Sequence, residues 1–144
     1  MRRDTLNEWS AGRSRIVEIA YALLRFFAGA LLACHGAQKL FGALGGQVAD
    51  NPMMKFGGVI EFFGGLLIAV GLLTSWAAFL ASGMMAVAYF MAHAPQSFWP
   101  IINKGELAVV YAFLFLFISA HGGGRYSLDA AFRRSRTTVV PARA

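Results

Sequence analysis

The sequence predicts an all-α membrane protein, an integral four-helix bundle followed by a short amphipathic helix. Hydrophobic residues make up 58% of the 144 residues, and the mean hydropathy is +0.57. Charged residues make up only 14%, whereas soluble domains have about one charged residue in four. A soluble bundle could not cover its surface with so few charges, so we expect lipid to surround it. The length allows a single domain.

Four apolar segments, each long enough to cross a bilayer core, give the helix count. Turn-forming residues separate the segments, such as Asn51-Pro52 after the first and Thr74-Ser75 after the second. A triple glycine from residue 122 ends the fourth. The predicted transmembrane domain spans residues 16–124, between a basic segment, 1–15, and a basic tail, 125–144. Its helices are predicted at about 16–41, 56–73, 76–92 and 104–120.

The cationic residues set the expected orientation. Most of the 13 lysine and arginine residues lie at the two ends of the chain. Positive charge marks the cytoplasmic side, and an even number of crossings puts both termini on one side. We therefore expect an N-in/C-in, multi-pass inner-membrane protein whose tail forms a cytoplasmic helix. Because the basic ends flank lipid-length segments, topology and anionic lipid explain them better than nucleic acid. They are Arg2, Arg3, Arg13, Arg15, Arg125, Arg133, Arg134, Arg136 and Arg143.

Glycines recur every seven residues on the second predicted helix, at Gly57, Gly64 and Gly71, with Gly58 and Gly65 beside them. A helix face of small residues lets a neighbouring backbone approach closely. The third predicted helix also has small residues and follows a minimal turn. We therefore expect the second and third helices to pack tightly against each other.

Ionisable side chains inside the predicted helices are the most informative feature, because each costs roughly 2.5–3.5 kcal/mol on insertion scales. On the predicted topology all four helices place such groups in the outer half of the membrane, and Arg25 lies deeper. Converging polar groups in a bundle core indicate a site. The outer groups are His35, Lys39, Glu61, His93 and Glu106.

A quinone site is the first chemical interpretation of this convergence. Quinone carbonyls need hydrogen-bond donors, and a carboxylate can relay the protons taken up on reduction. We assign Glu61, His35 and Glu106 to catalysis or proton relay, and Arg25, Lys39 and His93 to cofactor binding. A metal site is the second interpretation. The histidines and carboxylates would be suitable ligands, but they show no HxxxH or ExxH spacing, and we assign no metal.

Each of these residues also has a structural interpretation. Glu106 follows Asn103 at the spacing of a capping box. Lys39 could extend outward from the end of its helix, and His93 could be an interfacial histidine. Glu61 and Arg25 could form structural ion pairs, with each other or with neighbouring residues, since buried charges are normally paired.

The chain alone carries no redox centre that the sequence reveals. Cys34 is the single cysteine, which excludes an intramolecular disulfide, a CxxC redox pair and an iron–sulfur motif. No flavin or metal motif is present either. A redox cofactor would therefore be freely bound or belong to a partner.

Several short motifs, read in order, resemble the DoxX family of small bacterial membrane proteins. They are Arg25 with Gly29, HGAQKLF at 35–41, EFFGG at 61–65, GLLT at 71–74, FWP at 98–100, Gly105-Glu106 and SLD at 127–129. The resemblance covers about residues 25–129, although the arginine-rich ends are not part of the family pattern. It implies a four-helix fold and association with membrane oxidoreductase systems. Among these are thiosulfate–quinone oxidoreductases, which contain DoxD- and DoxA-type subunits, and complexes of oxidative stress or thiol redox chemistry.

Three hypotheses follow. The chain is a membrane subunit of a quinone-linked oxidoreductase or redox complex, or a non-catalytic scaffold that docks a redox enzyme, or a transporter of a small solute or protons. The third is the weakest, since the chain shows no inverted repeats or broken helices. Under the first two we expect a soluble or membrane oxidoreductase as partner, with the oligomeric state open.

Overall fold

The computed structural model describes the backbone of residues 2–137 and the side chains of residue 12 and residues 14–135. Within these residues the chain forms helices and turns and no strand, which confirms the predicted all-α class. The helices are α1 (Arg2–Phe41), α2 (Pro52–Val70), α3 (Thr74–His93), α4 (Pro100–Asn103), α5 (Glu106–His121) and α6 (Leu128–Thr137). Two of them contain a π-helical turn, α2 at Ile60–Gly64 and α3 at Tyr89–His93.

Three helical stretches are long and apolar enough to cross a membrane: Ser14–Phe41 of α1, and the whole of α2 and α3. Helix α5 is apolar but shorter, with 16 residues. Helix α1 begins at Arg2 rather than at the start of the apolar segment. Residues 2–15 contain no proline, so a helix that has nucleated in the apolar segment can continue into them.

Local sequence explains where α2 begins and ends. The side chain of Asn51 accepts a hydrogen bond from the Met53 backbone N–H at 2.8 Å, and Pro52 occupies the first helical turn. Both are favoured at a helix N-terminus. Gly71 ends the helix with φ +76°, a left-handed conformation that glycine adopts without strain.

Helices α1 and α2 form a close pair in which their backbones touch. A Cβ added at Gly36 would lie 2.3 Å from the Phe62 backbone nitrogen, and one added at Gly65 would lie 2.5 Å from that of Ala33. By contrast, Cβ atoms on Gly57 and Gly64 would come no nearer than 4.0 Å to any atom of α3. The close glycine packing predicted between the second and third helices therefore occurs against the first, because α1 presents glycines of its own.

Helices α3 and α5 form the second pair. Their buried faces share a core that includes Ala78, Met85, Phe115 and Ile118. The Ser82 hydroxyl donates to the Ala112 carbonyl across the pair at 2.7 Å. Small residues on α3 opposite aromatic residues on α5 let the two helices interdigitate.

The bundle has two ends, a termini end and a loop end. At the termini end, where α1 enters and α5 leaves, the Tyr21 hydroxyl donates to the Gly122 carbonyl at 2.5 Å, and the Arg125 N–H donates to the Glu18 carboxylate at 3.2 Å. At the loop end lie the connections 42–51 and 94–105. Arg25 lies near the termini end, and the other sequence-predicted site residues lie toward the loop end.

Candidate functional site

An ion pair between α1 and α2 is the centre of the candidate site. Nζ of Lys39 lies 2.5 Å from Oε1 of Glu61. The Glu61 side chain is 2% exposed and that of Lys39 is 31% exposed. The pair therefore joins a buried carboxylate to a partly exposed ammonium.

The second carboxylate oxygen of Glu61 has no partner. Oε2 is buried, and no described residue donates a hydrogen bond to it. An unsatisfied buried carboxylate oxygen is costly, so this atom marks a place where a proton, a water molecule or a ligand would be stabilised.

The backbone around Glu61 is irregular as well. The carboxylate projects from the π-helical turn Ile60–Gly64. A π turn inserts an extra residue into a helix and changes which side chains share a face, and such turns are frequent at functional sites. The sequence offered no signal for this turn, because the apolar and glycine pattern continues through it.

His93 belongs to a separate hydrogen-bonded cluster, between the π-helical end of α3 and the loop before α5. Its Nδ1 lies 3.1 Å from the Asn103 carbonyl oxygen, and since a carbonyl only accepts, Nδ1 carries the proton. The Asn103 amide donates to the Ser97 carbonyl at 2.6 Å, and the Tyr89 hydroxyl donates to the Phe98 carbonyl. These contacts hold the 94–103 loop on the bundle.

The remaining residues predicted for the loop end are exposed. His35 and Glu106 are both open to the surroundings of the helices. Glu106 does not complete a capping box with Asn103, because Gly105 occupies the N-cap and its N–H donates to the Asn103 side chain at 2.7 Å. Among the described contacts, neither His35 nor Glu106 touches the Lys39–Glu61 pair.

Arg25 lies beside the C-terminal end of α2, whereas Glu61 lies in the middle of that helix. Its guanidinium donates through Nη1 to the carbonyls of Ile68 and Ala69, the latter at 2.8 Å, and through Nη2 to the Tyr126 carbonyl at 2.8 Å. Ile68 lies seven residues after Glu61, about 10 Å along a helix. An ion pair between Arg25 and Glu61 is therefore excluded, and the two residues do not form one site.

Asp129 caps a helix at the termini end, and the sequence gave no direct signal for this role. Its carboxylate accepts from the Leu73 N–H at 2.9 Å, the Thr74 N–H at 3.0 Å and the Thr74 hydroxyl at 2.8 Å. It thereby caps α3 from 55 residues away in sequence. Burial raises the pKa of the Asp129 carboxyl, but the hydrogen bonds from Thr74 and Leu73 and the charge of Arg133 outweigh it. The pKa is therefore below its ordinary value of 3.8.

Metal ligands do not cluster in the part of the chain that the structure describes. No group of three or more histidine, cysteine, aspartate or glutamate side chains in residues 14–135 could hold an ion. Cys34 is exposed on α1.

Comparison with known proteins identifies the family of the chain. The DoxX family profile matches residues 20–94, just over half of the chain, which include Arg25, His35, Lys39, Glu61 and His93. A protein of Haemophilus influenzae described as uncharacterized is 40% identical, and the match covers 77% of this chain and 89% of the relative. No solved structure matches. With its apolar helices and this family match, the chain is a membrane protein that belongs to the DoxX family.

Proposed function

We propose that the chain is a multi-pass protein of the bacterial inner membrane in which α1, α2, α3 and α5 all cross the bilayer. The termini end faces the cytoplasm and α6 lies on the cytoplasmic surface. The arginines concentrated at both chain ends support this orientation. At 1.5 Å per residue α5 is about 24 Å long. It can cross where the bilayer thins and where its packing against α3 fixes it.

The proposed function is that of a membrane subunit in a quinone-linked oxidoreductase or redox complex, with the Lys39–Glu61 pair as its proton-handling site. The observation that carries this proposal is the Glu61 carboxylate, which is 2% exposed, with one oxygen on Lys39 and the other unpartnered. A carboxylate in this setting can accept a proton on its free oxygen while Lys39 holds the other. Since Lys39 is partly exposed, protons can reach the pair from the loop end.

A quinone would supply redox chemistry that the residues of this chain lack, and it takes up two protons with two electrons. The electrons would come from a partner that carries a flavin, haem or cluster. His35 lies one helical turn before Lys39 on α1, so both side chains project from the same side of that helix. These two donors would hold a carbonyl or hydroxyl head group that arrives from the bilayer, and the buried free oxygen of Glu61 behind Lys39 would take up a proton.

The other predicted residues have different places in this proposal. Glu106 is exposed at the start of α5 and could meet a partner or bulk water. His93 is engaged with Asn103 and is proposed only as a neighbour of the site. Arg25 lies at the termini end and is left out of it.

The second candidate function is a scaffold that docks a redox enzyme. The observation that favours it is that several buried polar groups already have structural partners. Arg25 binds backbone carbonyls, Asp129 caps α3 and Asn103 holds a loop. On this view the Lys39–Glu61 pair fixes the register of α1 on α2.

To test this proposal, the protein is purified from its own membranes in mild detergent and its quinone content is measured. The Glu61→Gln and Asp50→Asn variants are measured in the same way. Glu61→Gln keeps the shape and removes the charge, while Asp50 is an exposed carboxylate in the loop after α1. We expect quinone near one per chain in the wild type and in Asp50→Asn. In Glu61→Gln we expect the quinone content to fall about tenfold, because one hydrogen bond to a charged group is lost. Protein yield should be unchanged, and thermal stability should fall only slightly.

Two outcomes would favour the scaffold. One is wild-type protein free of quinone that carries a co-purifying soluble enzyme, retained equally in both variants. The other is a Glu61→Gln variant that no longer accumulates in the membrane, which would assign the carboxylate to assembly.

A further inference from the structure

A groove at the termini end lies between α1 and α2 and has a volume of about 430 Å³. Its walls include Ile19, Leu23 and Phe26 of α1 and Val70 of α2, each 43–53% exposed. All four residues belong to helical stretches that could cross a membrane. The groove therefore opens toward the hydrocarbon of the leaflet at the termini end.

The polar group in the groove is Arg25. Its side chain is 3% exposed, and it lines the groove beside Tyr126. Three hydrogen bonds from Nη1 and Nη2 go to backbone carbonyls. Nε is buried and has no acceptor among the described residues.

The unpartnered Nε is on the edge of the guanidinium that suits a phosphate. Nε and Nη2 donate in parallel from one edge, which is the arrangement by which arginine binds phosphate oxygens in a bidentate manner. Of these two nitrogens, Nη2 already donates to the Tyr126 carbonyl and Nε has no partner. An acceptor held there would complete the set of hydrogen bonds.

The charge around Arg25 also favours an anion. Among the described residues no carboxylate lies within ion-pair distance of it. The carboxylates at this end are Asp129, which accepts from Leu73 and Thr74, and Glu18, which accepts from the Arg125 N–H. Arg15 and Arg125 are exposed at the same end of the bundle. Partial charges of the carbonyls at the end of α2 stabilise the guanidinium but leave the net charge of the region positive.

We propose that this groove binds a phospholipid of the leaflet at the termini end. The phosphodiester accepts a hydrogen bond from Nε of Arg25, and one acyl chain lies along Leu23, Phe26 and Val70. The lipid carries an anionic head group, since the exposed arginines beside the groove attract negative charge. This site is separate from the Lys39–Glu61 pair and does not depend on the function proposed for it.

The proposal is tested by native mass spectrometry and thermal unfolding of the whole chain in detergent. Three probes are added in turn: phosphatidylglycerol, phosphatidylcholine with the same acyl chains, and inorganic phosphate. We expect one tightly bound phosphatidylglycerol per chain and a higher melting temperature. Phosphatidylcholine should bind about tenfold more weakly, because it lacks the net negative charge that the nearby arginines attract, and inorganic phosphate should leave the melting temperature unchanged.

A matched pair of variants locates the site. Ala22→Phe fills the groove, since Ala22 is part of its lining, whereas Ala120→Phe adds the same ring to an exposed position on α5. Ala22→Phe should lose the bound lipid and Ala120→Phe should keep it. If Ala22→Phe does not accumulate, Val70→Trp replaces it, with Val110→Trp of α5 as control, because both valines are about half exposed.

Several results would overturn the proposal. Equal lipid binding by the groove variant and its control would remove the site from the groove. Equal binding of the two lipids would remove the anionic preference. Stabilisation by inorganic phosphate as strong as that by phosphatidylglycerol would assign the site to free phosphate.

Discussion

The two ends of the bundle satisfy their charged side chains in different ways. Arg25 at the termini end donates to carbonyls at the end of α2, and Asp129 accepts from N–H groups at the start of α3. Helix ends have backbone groups without intrahelical partners, which can solvate a charge. Glu61 lies inside α2, where the helix uses its own backbone groups. Its partner must be a side chain or a ligand, and one of its oxygens has neither.

This difference favours a structural role for the charges at the termini end and a functional role for Glu61. At the termini end the charges join segments distant in sequence and explain how α6 is held on the bundle. At the loop end one of the two oxygens of the buried carboxylate has no partner, in an irregular turn, whereas Arg25 makes three hydrogen bonds to backbone carbonyls and leaves only Nε without a partner. The variants below test this division, starting with the largest expected effect.

Gly36→Ala should disrupt the loop-end pair most strongly. A Cβ at Gly36 would lie 2.3 Å from the Phe62 nitrogen and 2.7 Å from the Gly58 carbonyl oxygen. Because these are backbone atoms next to Glu61, α1 and α2 must move apart. We expect a loss of about 3 kcal/mol or more in the free energy of unfolding, the upper range for overpacking, measured by denaturant titration in detergent.

Gly83→Ala of α3 is the matched control, since a Cβ at Gly83 would meet no atom within 4 Å. Its stability should equal or slightly exceed that of the wild type. If both variants were equally stable, the close contact of α1 with α2 would not exist in the folded protein.

Asp129→Asn should produce the next largest effect, at the termini end. The two oxygens of the Asp129 carboxylate accept three hydrogen bonds in total. In the variant an NH₂ group, which cannot accept, replaces one of these oxygens. We expect a loss of about 2 kcal/mol, typical of a charged cap at a helix N-terminus. Asp50→Asn, which replaces an exposed carboxylate, should have no measurable effect on thermal unfolding.

The pH dependence of the melting temperature shows whether the charge of Asp129 causes this loss of stability. The folded-state pKa of Asp129 is lowered from 3.8, so its contribution is fully present above pH 3.8 and is lost as the pH falls through the folded-state value. The difference in melting temperature between wild type and Asp129→Asn should therefore be constant at neutral pH and shrink in acid. A difference that stayed constant down to the lowest pH would mean that the carboxylate charge is not involved.

The sequence was sufficient for the fold class but not for the arrangement of the charges. Hydropathy and turn residues are local properties, so the apolar segments could be recognised directly. The Lys39–Glu61 contact brings together two of the residues predicted to converge, whereas His93 belongs to a separate cluster and His35 and Glu106 are exposed. Arg25 was assigned to the same site as Glu61, which is wrong, because Arg25 lies level with Ile68 and Ala69 at the end of α2 and donates to their carbonyls. The cap formed by Asp129 joins residues 55 apart, and hydrophobic periodicity contains no information on such a contact.

The smallest expected effect is the energetic coupling between Lys39 and Glu61, and it bears most directly on function. In a double-mutant cycle of Lys39→Met and Glu61→Gln, a fully buried structural ion pair would show coupling of several kcal/mol. Because Lys39 is 31% exposed, water screens the pair, and we expect about 1 kcal/mol. A coupling this small means that the pair is not retained for stability, while Glu61 would still be needed for quinone binding. Strong coupling, with quinone content unaffected by either variant, would instead mean that the Lys39–Glu61 pair is structural, like the charged residues at the termini end.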